Sequence, residues 1–139
     1  MTAPRRPPVV VVGVDGSAGS EAALRWAEDY SRATGAYLQI VTAWHWPTWY
    51  GAPVETGIEP EADARAVAAK AVTGMSVPAD MFRSVVEQGA AGNVLTHASH
   101  TADLLVVGRR GHGPLVGATL GSVSAYCAHH AHCPVVIVR

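Results

Sequence analysis

The run VVVVGVD, residues 9–15, is a continuous stretch of β-branched side chains closed by aspartate. A strand with one wet face alternates apolar and polar residues, whereas a strand without alternation is buried on both faces, as in parallel sheets covered by helices. The run therefore predicts a central strand. SAGSEAALRWAEDYSRATG follows, with Ser17 or Ser20 as N-cap, Glu21 in the first turn, and an apolar face of Ala23, Trp26, Ala27 and Tyr30 that ends at Gly35. One strand-helix unit is complete.

The same alternation continues outward. YLQIVTAW (37–44) reads as a second strand, EPEADARAVAAKAVTG (59–74) as an alanine-rich helix closed by Gly74, and MFRSVVEQG (81–89) as a more polar third strand at or near an edge. AAGNVLTHASHTA (90–102) predicts a marginal helix and DLLVVG (103–108) a wholly apolar strand; a last helix runs from about Gly121 to His130, and CPVVIVR closes with a fifth strand. Strict alternation implies an α/β fold: an open five-stranded parallel sheet with helices on both faces. Ligands in such sheets bind beyond the carboxyl ends of the strands, where the winding reverses. With 9–14 and 104–107 as central neighbours, Asp15 and Gly108 are expected to face each other across that crevice.

With 139 residues, 49% of them apolar and only 15% charged, the chain suits one globular domain. Residues 9–139 are expected to form it, with MTAPRRPP (1–8) as a frayed leader. A net charge of -1 gives no electrostatic reason to expect nucleic acid or an anionic membrane as partner. Two cysteines, Cys127 and Cys133, make no disulfide framework, and no apolar run is long enough to span a bilayer, so a cytoplasmic setting is expected. Charge is nevertheless uneven: after Asp103 there is no acid, yet Arg109, Arg110, Arg139 and four histidines follow. The last quarter would welcome an anion.

Within it lies GRRGHGPLVGATLGS (108–122), with five glycines and two arginines. Gly108 and Gly111 would let backbone approach a polyphosphate, and Gly121 and Ser122 would begin a helix whose amides and dipole suit an anion. A plain strand-to-helix turn rich in glycine fits the composition equally well. Several nucleotide motifs are excluded. The only lysine is Lys70, on another helix, so there is no P-loop. GHGPLVG is one residue too long for a dinucleotide fingerprint and follows the fourth strand rather than the first. A receiver domain needs clustered acids after strand one, where Asp15 stands alone. Flavodoxin-like FMN binding through the Ser17, Gly19 and Ser20 loop stays open as an alternative, as does slow nucleotide hydrolysis.

Gly108, Gly111, Gly121 and Ser122 fit G-x2-G-x9-G-[ST]; together with VVVGVDGSAGSEAALRWA, TADLLVVGRRGHG and GSVSAYCAHHAHCPVVIVR they make the chain similar to the universal stress protein family along essentially its whole length. The resemblance implies strand order 3-2-1-4-5 and an ATP site in the cleft, with Mg²⁺ as a candidate companion ion. It implies that Asp15 binds the adenosine moiety and that Ala43 meets adenine through its backbone. Gly108 and Gly111 would cradle phosphates with Arg109, Arg110, His112 and Gly113 beside them; Gly121, Ser122, Val123 and Ser124 would cap them; and Gly13 would need its missing side chain beside the ligand. The family resemblance further implies a homodimer joined through the C-terminal strand, and a nucleotide-dependent stress-response switch with at most slow hydrolysis, because no lysine and no acid beyond Asp15 stands in the cleft loops. Protein partners are not legible.

Two clusters invite a second reading. WHWPTWYG (44–51) could wall an adenine pocket by stacking, or cover the sheet end or a subunit contact. His129, His130, His132 and Cys133 are metal-ligand types, but only His129 and Cys133 share a helix face, and histidines at a helix C-terminus also suit its negative end.

Overall fold

The computed structural model describes residues 6–49, 52–53, 57, 59–110 and 120–139. Strands β1 (Val9–Gly13), β2 (Tyr37–Trp44), β3 (Phe82–Gln88), β4 (Leu104–Gly108) and β5 (Val135–Val138) form one parallel sheet. Their order is β3-β2-β1-β4-β5, so the winding reverses between β1 and β4. Helices α1 (Ala18–Thr34), α2 (Pro60–Thr73), α3 (Ala91–Ala98) and α4 (Ser122–His130) make the crossovers.

Two-sided burial explains the unbroken valine run. Val10, Val11 and Val12 are all fully buried. Val10 and Val12 join Leu38, Ile40 and Val106 under Ala23 and Ala27 of α1, whereas Val11 joins Val41, Leu105 and Val107 under Val94 and Leu95 of α3 and Cys127 of α4. Successive residues thus feed opposite layers, as the two-residue period of a strand demands. Alanines four apart let α1 lie close to the sheet, and Trp26 stacks on Tyr30 at 5.3 Å along its flank.

Local chemistry fixes the helix ends. Ser17 Oγ accepts the Ser20 N–H at 3.2 Å at the start of α1, and Gly35, at φ +75°, turns the chain out of it. Glu28 is buried on α1, where it accepts from the Ser76 amide at 2.6 Å and from the Ser76 hydroxyl and is paired with Arg32 at 3.2 Å. That carboxylate ties the segment leading into β3 to α1.

Three features differ from the sequence expectation. The helix expected over 90–102 ends at Ala98 and tightens into a 3-10 turn, Ser99–Thr101, because the Ser99 hydroxyl reaches back to the Thr96 carbonyl. The long connection after β2 contains a short antiparallel pair, Thr48–Trp49 against Ala52–Pro53. Of the leader, residues 1–5 lie outside the described residues, and its last three are tied down: Arg6 pairs with Asp103 at 3.2 Å, and the Pro8 carbonyl accepts the Tyr37 N–H at 2.7 Å, extending the β1–β2 ladder. Among the described residues no helix is long and apolar enough to cross a membrane.

Candidate nucleotide site

A cavity of about 150 Å³ opens at the carboxyl ends of β1 and β4. Its first wall is the exit of β1. Gly16, at φ +83°, bends the chain so that the Ser17 amide (2.9 Å) and the Ser17 hydroxyl both donate to Asp15 Oδ1. The Asp15 N–H in turn donates to Ser20 Oγ at 3.2 Å. Asp15 is thereby built into the start of α1.

The opposite wall is the exit of β4, and it is pressed against α1. A Cβ on Gly108 would lie 2.6 Å from the carbonyl carbon and oxygen of Gly19, and a Cβ on Gly19 would lie 2.2 Å from the Arg110 carbonyl oxygen. Both contacts are with backbone, which cannot swing aside, so this pair of glycines lets two chain segments touch. Gly108 is needed first for that seam. Gly13 lines the cavity, and a Cβ there would also meet Leu95 Cδ1 of α3 at 2.8 Å.

The third wall is the start of α4. Arg109 binds through its backbone: its N–H donates to the Val138 carbonyl at 2.8 Å, and its carbonyl accepts the Gly121 N–H and the Ser124 hydroxyl, each at 2.8 Å. These bonds hold β4, β5 and the first turn of α4 together. They also occupy the Ser124 hydroxyl, leaving that residue's amide as its candidate ligand group. Gly121 is the N-cap of α4, with no side-chain cap bond.

Nine of the expected residues therefore meet around one cavity: Gly13, Asp15 and Ala43 from the β1 and β2 ends, Gly108 and Arg110 from β4, and Gly121, Ser122, Val123 and Ser124 from α4. Arg109 is not among the lining residues. Gly111, His112 and Gly113 lie outside the described residues. Not anticipated as site residues were Val14, Val41, Val107, Ala91 and Leu95, which supply apolar wall. The valines carried a usable signal, since they end buried strands. Ala91 and Leu95 carried none, because only the packing of α3 brings them there.

With this geometry in place, the model of the Universal stress protein family matches residues 8–139. The chain belongs to that family. A universal stress protein of Mycobacterium tuberculosis (strain H37Rv) is 33% identical over 139 residues, covering 94% of this chain and 47% of that protein. One of Mycobacterium bovis is 32% identical over 149 residues, covering 100% of this chain and 50% of its own length. The chain spans about half the length of these relatives. Among solved structures, the universal stress protein UspA from Lactobacillus plantarum superposes with TM-score 0.75 at 21% identity, covering 98% of this chain and 100% of that one, a likeness of fold. A universal stress protein in complex with cAMP is 31% identical with TM-score 0.65, covering 95% of this chain and 96% of that one.

Of the two remaining clusters of this universal stress protein chain, Trp44, Trp46, His129, His130, His132 and Cys133 are not among the described lining residues, and Tyr50 and Gly51 lie outside the described residues. Trp44 and Trp46 meet edge to face at 6.2 Å, with Trp46 exposed. His100 stacks on His132 at 3.6 Å, and the His132 amide donates to Ser99 Oγ at 2.9 Å, joining the 3-10 turn to the exit of α4. No group of three metal-ligating side chains gathers among the described residues. Cys127 is buried on α4, and burial pushes its thiol from 9.0 up to about 11; burial and the nearby Asp103 charge raise Cys133. Burial thus favours the neutral thiol over the thiolate at both positions.

Proposed function

We propose that the chain is an ATP-binding universal stress protein that acts as a nucleotide-dependent switch in the stress response of the cytoplasm. The observation that carries this is the convergence of Asp15, Ala43, Gly108, Arg110 and the first turn of α4 from distant parts of the chain onto one cavity at the reversal of the sheet. The related protein in complex with cAMP supports an adenine nucleotide as the class of ligand. In this scheme Asp15 accepts from ribose hydroxyls or adenine, and the Ala43 backbone meets the base. Gly108, Gly111 and Gly113 admit the phosphates, with Arg110 and His112 contributing donors or charge. The amides of Ser122, Val123 and Ser124 complete the cradle, because the first amides of a helix have no carbonyl within it to bond. Residues 9–139 act as one domain.

Holding nucleotide fits the lining better than cleaving it. Among the described lining residues Asp15 is the one carboxylate and there is no lysine, and Oδ1 of Asp15 already accepts two hydrogen bonds. Such a donor set suits Mg²⁺ carried in by the nucleotide's own phosphates rather than an ion held by the protein. FMN binding at the Ser17–Ser20 loop is disfavoured by proton inventory. The Ser17 hydroxyl donates to Asp15 and that of Ser20 to the Ser17 carbonyl, so neither has a proton left for a phosphate oxygen. The apolar, half-buried edge strand β5 supports a homodimer joined there.

Isothermal titration of the folded protein with ATP tests the proposal. Binding is expected, weakened about tenfold or more in Asp15→Asn, since hydrogen bonds to a charged group are the strong ones. Absence of binding by the folded wild type would overturn it. Analysis of the small molecule released on denaturation gives an independent check, and a flavin spectrum would favour the alternative.

A further inference from the structure

We infer that Ser17 is a positioning residue of the cleft, holding the Asp15 carboxylate for a ribonucleotide's hydroxyl groups in addition to capping α1. The inference rests on Asp15 being a nucleotide contact, as proposed above. Capping alone asks one thing of Ser17: an oxygen lone pair for the Ser20 amide, which it supplies at 3.2 Å. Its single hydroxyl proton goes elsewhere, to Asp15 Oδ1. That donation adds nothing to the cap.

The Ser17 amide donates to the same oxygen at 2.9 Å, and Gly16 reaches this arrangement only through its positive φ of +83°. Rotation of an aspartate about its terminal bond is otherwise broad. Two donors converging on one oxygen set the plane of the group, and a vicinal diol, which needs an acceptor at a fixed angle, gains from a carboxylate that is already oriented. The main chain of Asp15 is steadied by the same turn: its amide donates to Ser20 Oγ at 3.2 Å, and that hydroxyl donates to the Ser17 carbonyl at 3.1 Å. Asp15, Ser17 and Ser20 all line the cavity.

Substitutions separate the two duties of Ser17. Ser17→Thr keeps both, because threonine retains the hydroxyl, and should bind ATP as wild type does. Ser17→Ala removes both, and affinity should fall about tenfold, in line with loss of a hydrogen bond to a charged group. Ser17→Asp keeps a good cap acceptor but has no proton to give and repels Asp15; it should stay folded, with a midpoint of thermal unfolding no lower than that of Ser17→Ala, while binding ATP at least tenfold more weakly. The Ser17→Ala loss should also vanish in the Asp15→Asn background, because residues acting through one another are not additive. Titration of wild type, the three Ser17 variants, Asp15→Asn and the Ser17→Ala/Asp15→Asn double variant reads all of this. Wild-type affinity in Ser17→Asp, or an undiminished Ser17→Ala loss in the Asp15→Asn background, would overturn the positioning role alone. A wild type that does not bind ATP would overturn the nucleotide reading together with it.

Discussion

Two helices begin at the cleft, and they begin differently. The start of α1 is closed by its own side chains: Ser17 caps it, Ser20 bonds back to the turn, and Asp15 is bound into the same network. The start of α4 has a glycine for its cap, which supplies no side-chain cap bond, although backbone and Ser124 bonds to Arg109 fix its position. A helix start satisfied from within stabilises the fold. One whose amides await a partner suits a ligand, because its partial positive charge is then available to an anion.

The largest expected effect comes from separating the two starts. Gly108→Ala or Gly19→Ala would put a methyl group 2.2–2.6 Å from backbone atoms, so the seam must open. Either change should cost about 3 kcal/mol, at the upper end of overpacking effects, measurable by denaturant unfolding. Alkaline pH loads the α4 side next. The Cys127 thiol is raised from 9.0 to about 11 by burial, so its contribution to stability is complete below pH 9 and is lost as pH rises toward 11. The loss should approach roughly 2–3 kcal/mol across that window and be absent in Cys127→Ala, when unfolding is followed against pH.

Removing the α1 cap with Ser17→Ala should cost about 1 kcal/mol in the same unfolding assay. Supplying a cap to α4 with Gly121→Ser makes the two starts alike. A Cβ there lies 3.2 Å from the Arg109 carbonyl oxygen, a tight but adjustable contact, so stability should change by less than about 1 kcal/mol while ATP affinity falls. The smallest effect is expected remote from both starts: Arg6→Ala breaks an exposed ion pair with Asp103 and should shift stability by less than about 0.5 kcal/mol.

Much of this arrangement was legible along the chain. The unbroken valines of β1 and the apolar β4 identified the central strands, and the polar β3 marked an edge, because burial on two faces, or on fewer, is written directly into side-chain type. The positions of Asp15 and Gly121 at element ends were legible for the same reason. Less legible was the purpose of the glycines. Gly108 serves contact with Gly19, far earlier in the chain, and Gly13 accommodates Leu95; neither partner is near in sequence. Arg109 and Ser124 carried the chemistry of phosphate contacts, but the structure uses the backbone of the first and the hydroxyl of the second to tie α4 to β4.

The sequence by itself determined the alternation of elements, the all-parallel sheet and the membership of its central pair, because these follow from period, burial and turn chemistry acting over a few residues at a time. Only the tertiary structure decided that Gly19 and Gly108 are the residues at which two distant segments touch. It also decided which arginine faces the cavity, and that the Ser17 proton goes to Asp15. Those outcomes depend on distances between parts of the chain that meet only once the sheet has been assembled.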